Sequence, residues 1–185
     1  SNTIDVGSSG WTQAGGTFTG GDATIDLNGD VSLTGGTFTS TSGTLELSGD
    51  WTSNTGTPSF SANSGTLTLD NTSATQTLAP GDFDFNNVTL AKSAETLAVT
   101  GTLDIDGDLT NTSIGDITGA ISAAGNVTTT DSDMSTSTTG VITFDGAGAQ
   151  TLQVDGIGGT GAICGVVIDK SGGTLTIADT ICIDG

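Results

Sequence analysis

Apolar and polar residues alternate in short bursts along the whole chain. In Gly101-Thr102-Leu103-Asp104-Ile105-Asp106-Gly107-Asp108-Leu109, two apolar residues flank a carboxylate, and a Gly-Asp pair follows. Near-copies stand at Ala23-Thr24-Ile25-Asp26-Leu27-Asn28-Gly29-Asp30-Val31 and Gly43-Thr44-Leu45-Glu46-Leu47-Ser48-Gly49-Asp50-Trp51. A period of two over four or five residues predicts a half-buried strand, and Gly-Asp predicts the turn that ends it. The bursts begin at Ile4, Ile25, Leu45, Leu67, Val88, Leu103, Ile121, Ile142, Val166 and Ile181. Most steps are close to one length, and two are distinctly short, Val88 to Leu103 and Val166 to Ile181. A coil of about 20 residues holds three short strands and three turns, so the expected fold is an all-β, parallel β-solenoid (β-helix) of about nine to ten rungs. Rungs about 4.8 Å apart make a rod of roughly 43 Å, and the usual crossover preference makes it right-handed.

Other columns agree. Shortly before three of the bursts lie Thr17-Phe18-Thr19, Thr37-Phe38-Thr39 and Ser59-Phe60-Ser61, followed less regularly by Asp82-Phe83-Asp84. Alternation turns Phe18, Phe38, Phe60 and Phe83 inward as an aromatic stack. Val31, Trp51, Leu109 and Val127 form a second inward column, with Trp11 one residue out of step. A longer repeat is superimposed, carrying Ile25 onto Leu103, Val88 onto Val166 and Leu103 onto Ile181. Gln76-Thr77-Leu78 matches Gln150-Thr151-Leu152, and Val88 to Ser93 matches Val166 to Ser171, placing Lys92 and Lys170 at one equivalent site. The chain then reads as a single solenoid over 1–185, with a four-rung module at 25–102, a second at 103–180, and the start of a further rung at 181–185. Neither end carries a capping helix, so the expectation is a window of a longer array, or a subunit whose neighbours cap it.

The runs Gly-Asp-Trp-Thr-Ser-Asn-Thr-Gly-Thr (49–57), Phe-Asp-Gly-Ala-Gly-Ala-Gln-Thr-Leu (144–152) and Asp-Lys-Ser-Gly-Gly-Thr-Leu-Thr-Ile (169–177) carry a resemblance. The chain resembles the β-helical repeat regions of secreted bacterial surface and adhesin-like proteins, over nearly its whole length. The resemblance implies an extracellular or cell-surface fibre, stalk or adhesin shaft, whose partners are further copies or neighbouring repeats.

Composition narrows the function. Hydrophobic residues are 33% and aromatics 4%, too few for a thick globular core, whereas 30 glycines suit many tight turns. The net charge is −19, with 21 acids against two bases, and a field of that sign repels phosphate backbones and anionic membranes. Nucleic acid is therefore not an expected partner. No apolar run approaches the ~18 residues of a spanning helix, so membrane insertion is not expected either. Uronate lyase chemistry needs a cation to neutralise the substrate, and a glycosidase needs one special pair of carboxylates. The chain has no His, and its acids recur at repeat positions, so no catalytic activity and no catalytic residue is expected.

Several weaker candidates remain. Asp104, Asp106 and Asp108 resemble part of a calcium loop, without its distal bidentate Glu. A solvated acidic edge explains them as well, so calcium is the sole candidate cofactor. Thr17, Thr19, Thr37 and Thr39 form a flat hydroxyl array of the kind that binds ice or glycans. Cys164 and Cys182, on neighbouring rungs, are candidates either for a disulfide or for free or inter-subunit thiols. Asn71, Asn87, Asn111 and Asn126 each open an N-x-[ST] glycosylation motif, a pattern that so Asn- and Thr-rich a chain also produces by chance.

Overall fold

Each alternating burst becomes a strand with its apolar members turned into a shared interior, and each Gly-Asp or Gly-Asn pair becomes a corner. The computed structural model describes residues 2–72, 74–93, 95–113, 115–130, 139–154 and 161–183, with the backbone alone at 161, 162 and 182. Among these residues there is no helix, and every strand pairing is parallel. The first sheet has nine strands: Thr3–Val6, Thr24–Leu27, Thr44–Leu47, Thr66–Leu69, Asn87–Ala91, Leu109–Ser113, Val127–Thr129, Gln150–Val154 and Leu175–Ile177. The second has ten, running from Trp11–Thr19 to Gly165–Ile168, and Gly161–Ile163 pairs with Ile181–Ile183 in a third. The fold is a parallel β-solenoid of about seven turns at about 21 residues each, fewer than the nine to ten rungs expected, because steps such as Val88 to Leu103 pass between sheets and are not full turns.

The long strands of the second sheet are creased rather than straight. Gly16, Gly36, Gly101 and Gly119 lie inside strands at φ of +71°, +85°, +86° and +92°. Those angles are open to glycine and strained for side chains carrying a Cβ. The crease gives the chain a third corner, so the interior has three sides and side chains from all of them meet.

They meet as predicted for the aromatics. Phe18 stacks on Phe38 at 4.9 Å between ring centroids, Phe38 on Phe60 at 6.1 Å, and Phe60 on Phe83 at 4.7 Å. Trp51, fully buried, meets Phe38, Phe60 and Phe85 edge-on at 6.3, 5.9 and 5.7 Å. Such edge-to-face contacts add to the apolar burial each ring already contributes.

The expected column is right as far as Val88 and then leaves its sheet. Ile4, Ile25, Leu45, Leu67 and Val88 do stack, but Val88 faces Leu109 and not Leu103. Leu103, Ile121, Ile142 and Val166 line the second sheet instead. The short rungs of the sequence reading are thus steps from one side of the interior to another. Likewise Trp11 is in register with Val31 and Trp51, whereas Leu109 and Val127 belong to the first sheet. The physical reason is that all sides use the same alternation and the same turn residues.

Glycine at the corners is set by the turn below. A Cβ on Gly49 would sit 2.3 Å from the carbonyl carbon of Gly29, and one on Gly125 would sit 2.3 Å from Gly107 O. Backbone cannot yield cheaply there, so Gly49→Ala is expected to cost about 1–3 kcal/mol in a urea melt. Gly148, where a Cβ meets nothing within 4 Å, is the control. Gly148→Ala should be neutral or stabilising by about 0.4–1 kcal/mol. Equal losses at both positions would refute a steric origin.

Candidate functional site

The corners carry side-chain hydrogen bonds that repeat from one level to the next. At the corner leading into the second sheet, Asp30 Oδ1 accepts the Asp50 N–H at 2.9 Å, and Asp50 Oδ1 accepts the Thr77 N–H at 2.7 Å. At the corner leading into the first sheet, Asn87 Oδ1 accepts from Asp108 N–H at 2.9 Å. Asp108 Oδ1 in turn accepts from Asn126 at 2.7 Å, and Asn126 Oδ1 from Thr151 at 2.8 Å. Each ladder satisfies one N–H per level, at a corner for Asp50, Asp108 and Asn126 and at the start of a strand for Thr77 and Thr151.

These ladders decide the role of several predicted residues. Asp108 belongs to a ladder, while Asp104 lies on a strand of the second sheet opposite Asp84 and Ser122. Among the described residues, no group of three or more Asp, Glu, His or Cys side chains is placed to hold a metal ion. Asn87 and Asn126 are ladder members, and Asn71 donates from Nδ2 to Ser48 O at 2.7 Å. Asn111 points inward, fully buried, with Nδ2 donating to Thr129 Oγ1 at 2.9 Å. In the folded chain the Asn111 side chain is closed off from solvent. Alternation from Leu109 explains it: both residues fall on the interior face.

The threonine array is in register. Thr17 faces Thr37 and Thr19 faces Thr39, and the next level brings Ser59 and Ser61. Cys164 is a free, buried thiol, pushed up to about 11 by burial. The backbone of Cys182 stands opposite Ala162, two residues before Cys164.

The acids also act on one another. Burial, with Asp84, Asp145 and Asp106 nearby, holds Asp104 above its ordinary 3.8, and burial with Asp26 and Asp70 does the same to Glu46 from 4.5. A raised carboxyl takes up its proton in the folded state first. Its contribution is then largest below the unfolded value and is lost as pH rises through the folded one. Asp84→Asn removes one like charge, so Asp104 should titrate closer to 3.8 and the urea midpoint at neutral pH should rise. An unchanged midpoint, with Asp104 unmoved by NMR, would refute the coupling. Two open clefts, of about 460 and 690 Å³, meet at Asp82, Phe83 and Asp84 beside these acids.

One arrangement was not foreseen. Lys92 is fully buried, its Nζ donating to Asn71 O at 3.4 Å, Ala74 O at 3.5 Å and Gln76 Oε1 at 3.3 Å. Gln76 donates from Nε2 to Leu47 O at 2.8 Å and Gly49 O at 2.6 Å. The other lysine repeats this. Lys170 Nζ donates to Gly146 O at 2.5 Å, Gly148 O at 2.9 Å and Gln150 Oε1, and Gln150 Nε2 donates to Ala123 O at 2.8 Å and Gly125 O at 2.5 Å. Each Lys–Gln pair staples three successive turns. Burial lowers Lys92 to about 8 against the pull of Glu95, Asp50 and Asp70. The sequence signal for these staples is the matched placing of Gln76 with Lys92 and Gln150 with Lys170, which on its own indicates only a repeat.

The two staples sit on different sides, because Gln76 lies in the second sheet and Gln150 in the first. Ile25 and Leu103, equated by the longer repeat, are divided in the same way. At about 21 residues per turn, the stretch from Ile25 to Leu103 winds more than three turns and fewer than four, so the copies are rotated about the axis. No protein-family model, curated protein or solved structure matches the chain.

Proposed function

We propose that this chain is a non-catalytic structural repeat segment, a rigid spacer in an extracellular or cell-surface fibre, stalk or adhesin shaft. The supporting observation is its continuity: parallel sheets whose corners are tied level by level through the Asp/Asn ladders. Such a stack resists bending because each turn is held by its neighbours through many backbone bonds. The acidic sheath keeps neighbouring rods apart sideways. Stacking then runs end to end, onto neighbouring repeats of a longer array or onto another copy, against the terminal strands that carry Ile4, Val167, Ile168, Ile177 and Ile183. Antibodies against the folded segment should label intact source cells; labelling only after permeabilisation would overturn the location. Sedimentation showing monomer alone from micromolar to millimolar, with or without Ca²⁺, would overturn end-to-end assembly.

A second reading is favoured by one observation, the in-register threonines at 17, 19, 37 and 39. It makes that face a carbohydrate- or ice-binding surface. A blank glycan array together with exclusion from growing ice would remove it.

A further inference from the structure

We propose that the two Lys–Gln staples are register locks, which select the strand each following segment pairs with. The need for such a lock is visible in the chain. After Val88 three apolar positions come within reach in turn, Leu97, Leu103 and Leu109, and Val88 takes the third as its partner. After Val166 an equally early burst comes at Ile181. Each lysine stands four residues beyond one of these branch points, and the chain has no other lysine or arginine.

The geometry fits selection. Lys92 grips Gln76, and Leu97, five residues further on, pairs with that same Gln76. Lys170 grips Gln150, and Leu175, again five residues further on, pairs with Gln150. The ammonium thus brings the chain over the glutamine just before the strand that must settle there. The Lys92 N–H, bonded to Ser113 O at 2.6 Å, ties the same residue to the next turn. A short rung after Val88 would stack Leu103 on it and leave the strand Gln76–Ala79 without Leu97 as its partner. A buried cation is a poor source of stability, because desolvation offsets most of its attraction, whereas fixing register is the best-attested use of buried polar groups. Period two rules out a one-residue slip, which would turn the apolar face outward, but it leaves open which of several alike strands is joined.

Cysteine trapping in a Cys164→Ala, Cys182→Ser background tests this on the full chain. Thr77→Cys with Ala98→Cys reports the observed register, since these residues face each other on the outer surface. Thr89→Cys with Asp104→Cys reports the short-rung alternative. With both staples intact, the first pair should close after refolding and the second should not. Lys92→Met should raise closure of the alternative pair at least tenfold. Lys170→Met, at a partly exposed lysine, provides a variant less prone to misfolding, and should reduce closure of Thr151→Cys with Thr176→Cys, which face each other beside Gln150. Unchanged closure at Thr151 and Thr176, or a folded Lys92→Met protein with no alternative pairing, would overturn the proposal and leave the staples a merely structural role.

Discussion

Trp51→Ala should destabilise the protein by about 3–5 kcal/mol, the range for deleting a fully buried large aromatic. In a chain of this length that lowers the melting temperature on the order of 10 °C. Trp51 has no exposed surface and touches aromatic rings from the levels before and after it, so little can move in to fill the space. Its indole Nε1 is buried without a hydrogen-bond partner. Trp51→Phe therefore discards an unsatisfied donor with part of the volume, and should cost much less than Trp51→Ala. Because turns support only their neighbours, the damage is local. Hydrogen exchange should accelerate first at Val31–Leu33 and Leu78, with Leu109–Asn111 still protected. Uniform loss of protection along the rod, or equal costs for Phe and Ala, would contradict this account.

The second large effect lies at alkaline pH. Lys92 falls from 10.5 to about 8 in the folded state, so between those values the unfolded chain holds a proton that the folded one lacks, and stability rises with pH. Cys164 goes the other way. Its rise from 9.0 to about 11 means that the folded chain keeps the proton longer, and stability falls across that interval. At about 1.36 kcal/mol per unit, each shift corresponds to at most roughly 3–3.5 kcal/mol, and solvent screening around the acidic surface trims the lysine's share. The expected profile climbs from about pH 8, levels where the two oppose, and falls beyond about 10.5. The chain has no Tyr or His to obscure it. In urea melts, Cys164→Ala should remove the falling limb and Lys92→Met the rising one. A flat profile in the unsubstituted protein would refute both assignments.

The contrast between Phe38 and Lys92 shows what the amino-acid order reveals. Phe18, Phe38 and Phe60 sit between matched hydroxyl residues at even spacing, so alternation alone gives their direction and their stacking partners. Lys92 carries a charge, which by itself argues for solvent, and its burial depends on carbonyl oxygens and a glutamine amide assembled from two earlier turns. No local pattern reports that. Asn111 is concealed in the same way, since its sequence motif speaks of a surface while its position in the strand assigns it to the interior. The step from Val88 to Leu103 failed for a different reason. Ile-Asp-Leu and Leu-Asp-Ile look alike on any side of the interior, so period two identifies a strand without saying which sheet it joins. The aspartates at 104, 106 and 108 read as one cluster in line, but the corner between 106 and 109 places the third in a ladder.

The mismatch between the longer repeat and the winding of the chain has a geometric outcome. Like the thread of a screw, recurring chemistry advances around the shaft as it climbs. The Lys92 and Lys170 staples, and the glycine corners at 49 and 125, consequently look out in different compass directions. A flat partner that meets one copy is turned away from the other. Anything that engages both must wrap.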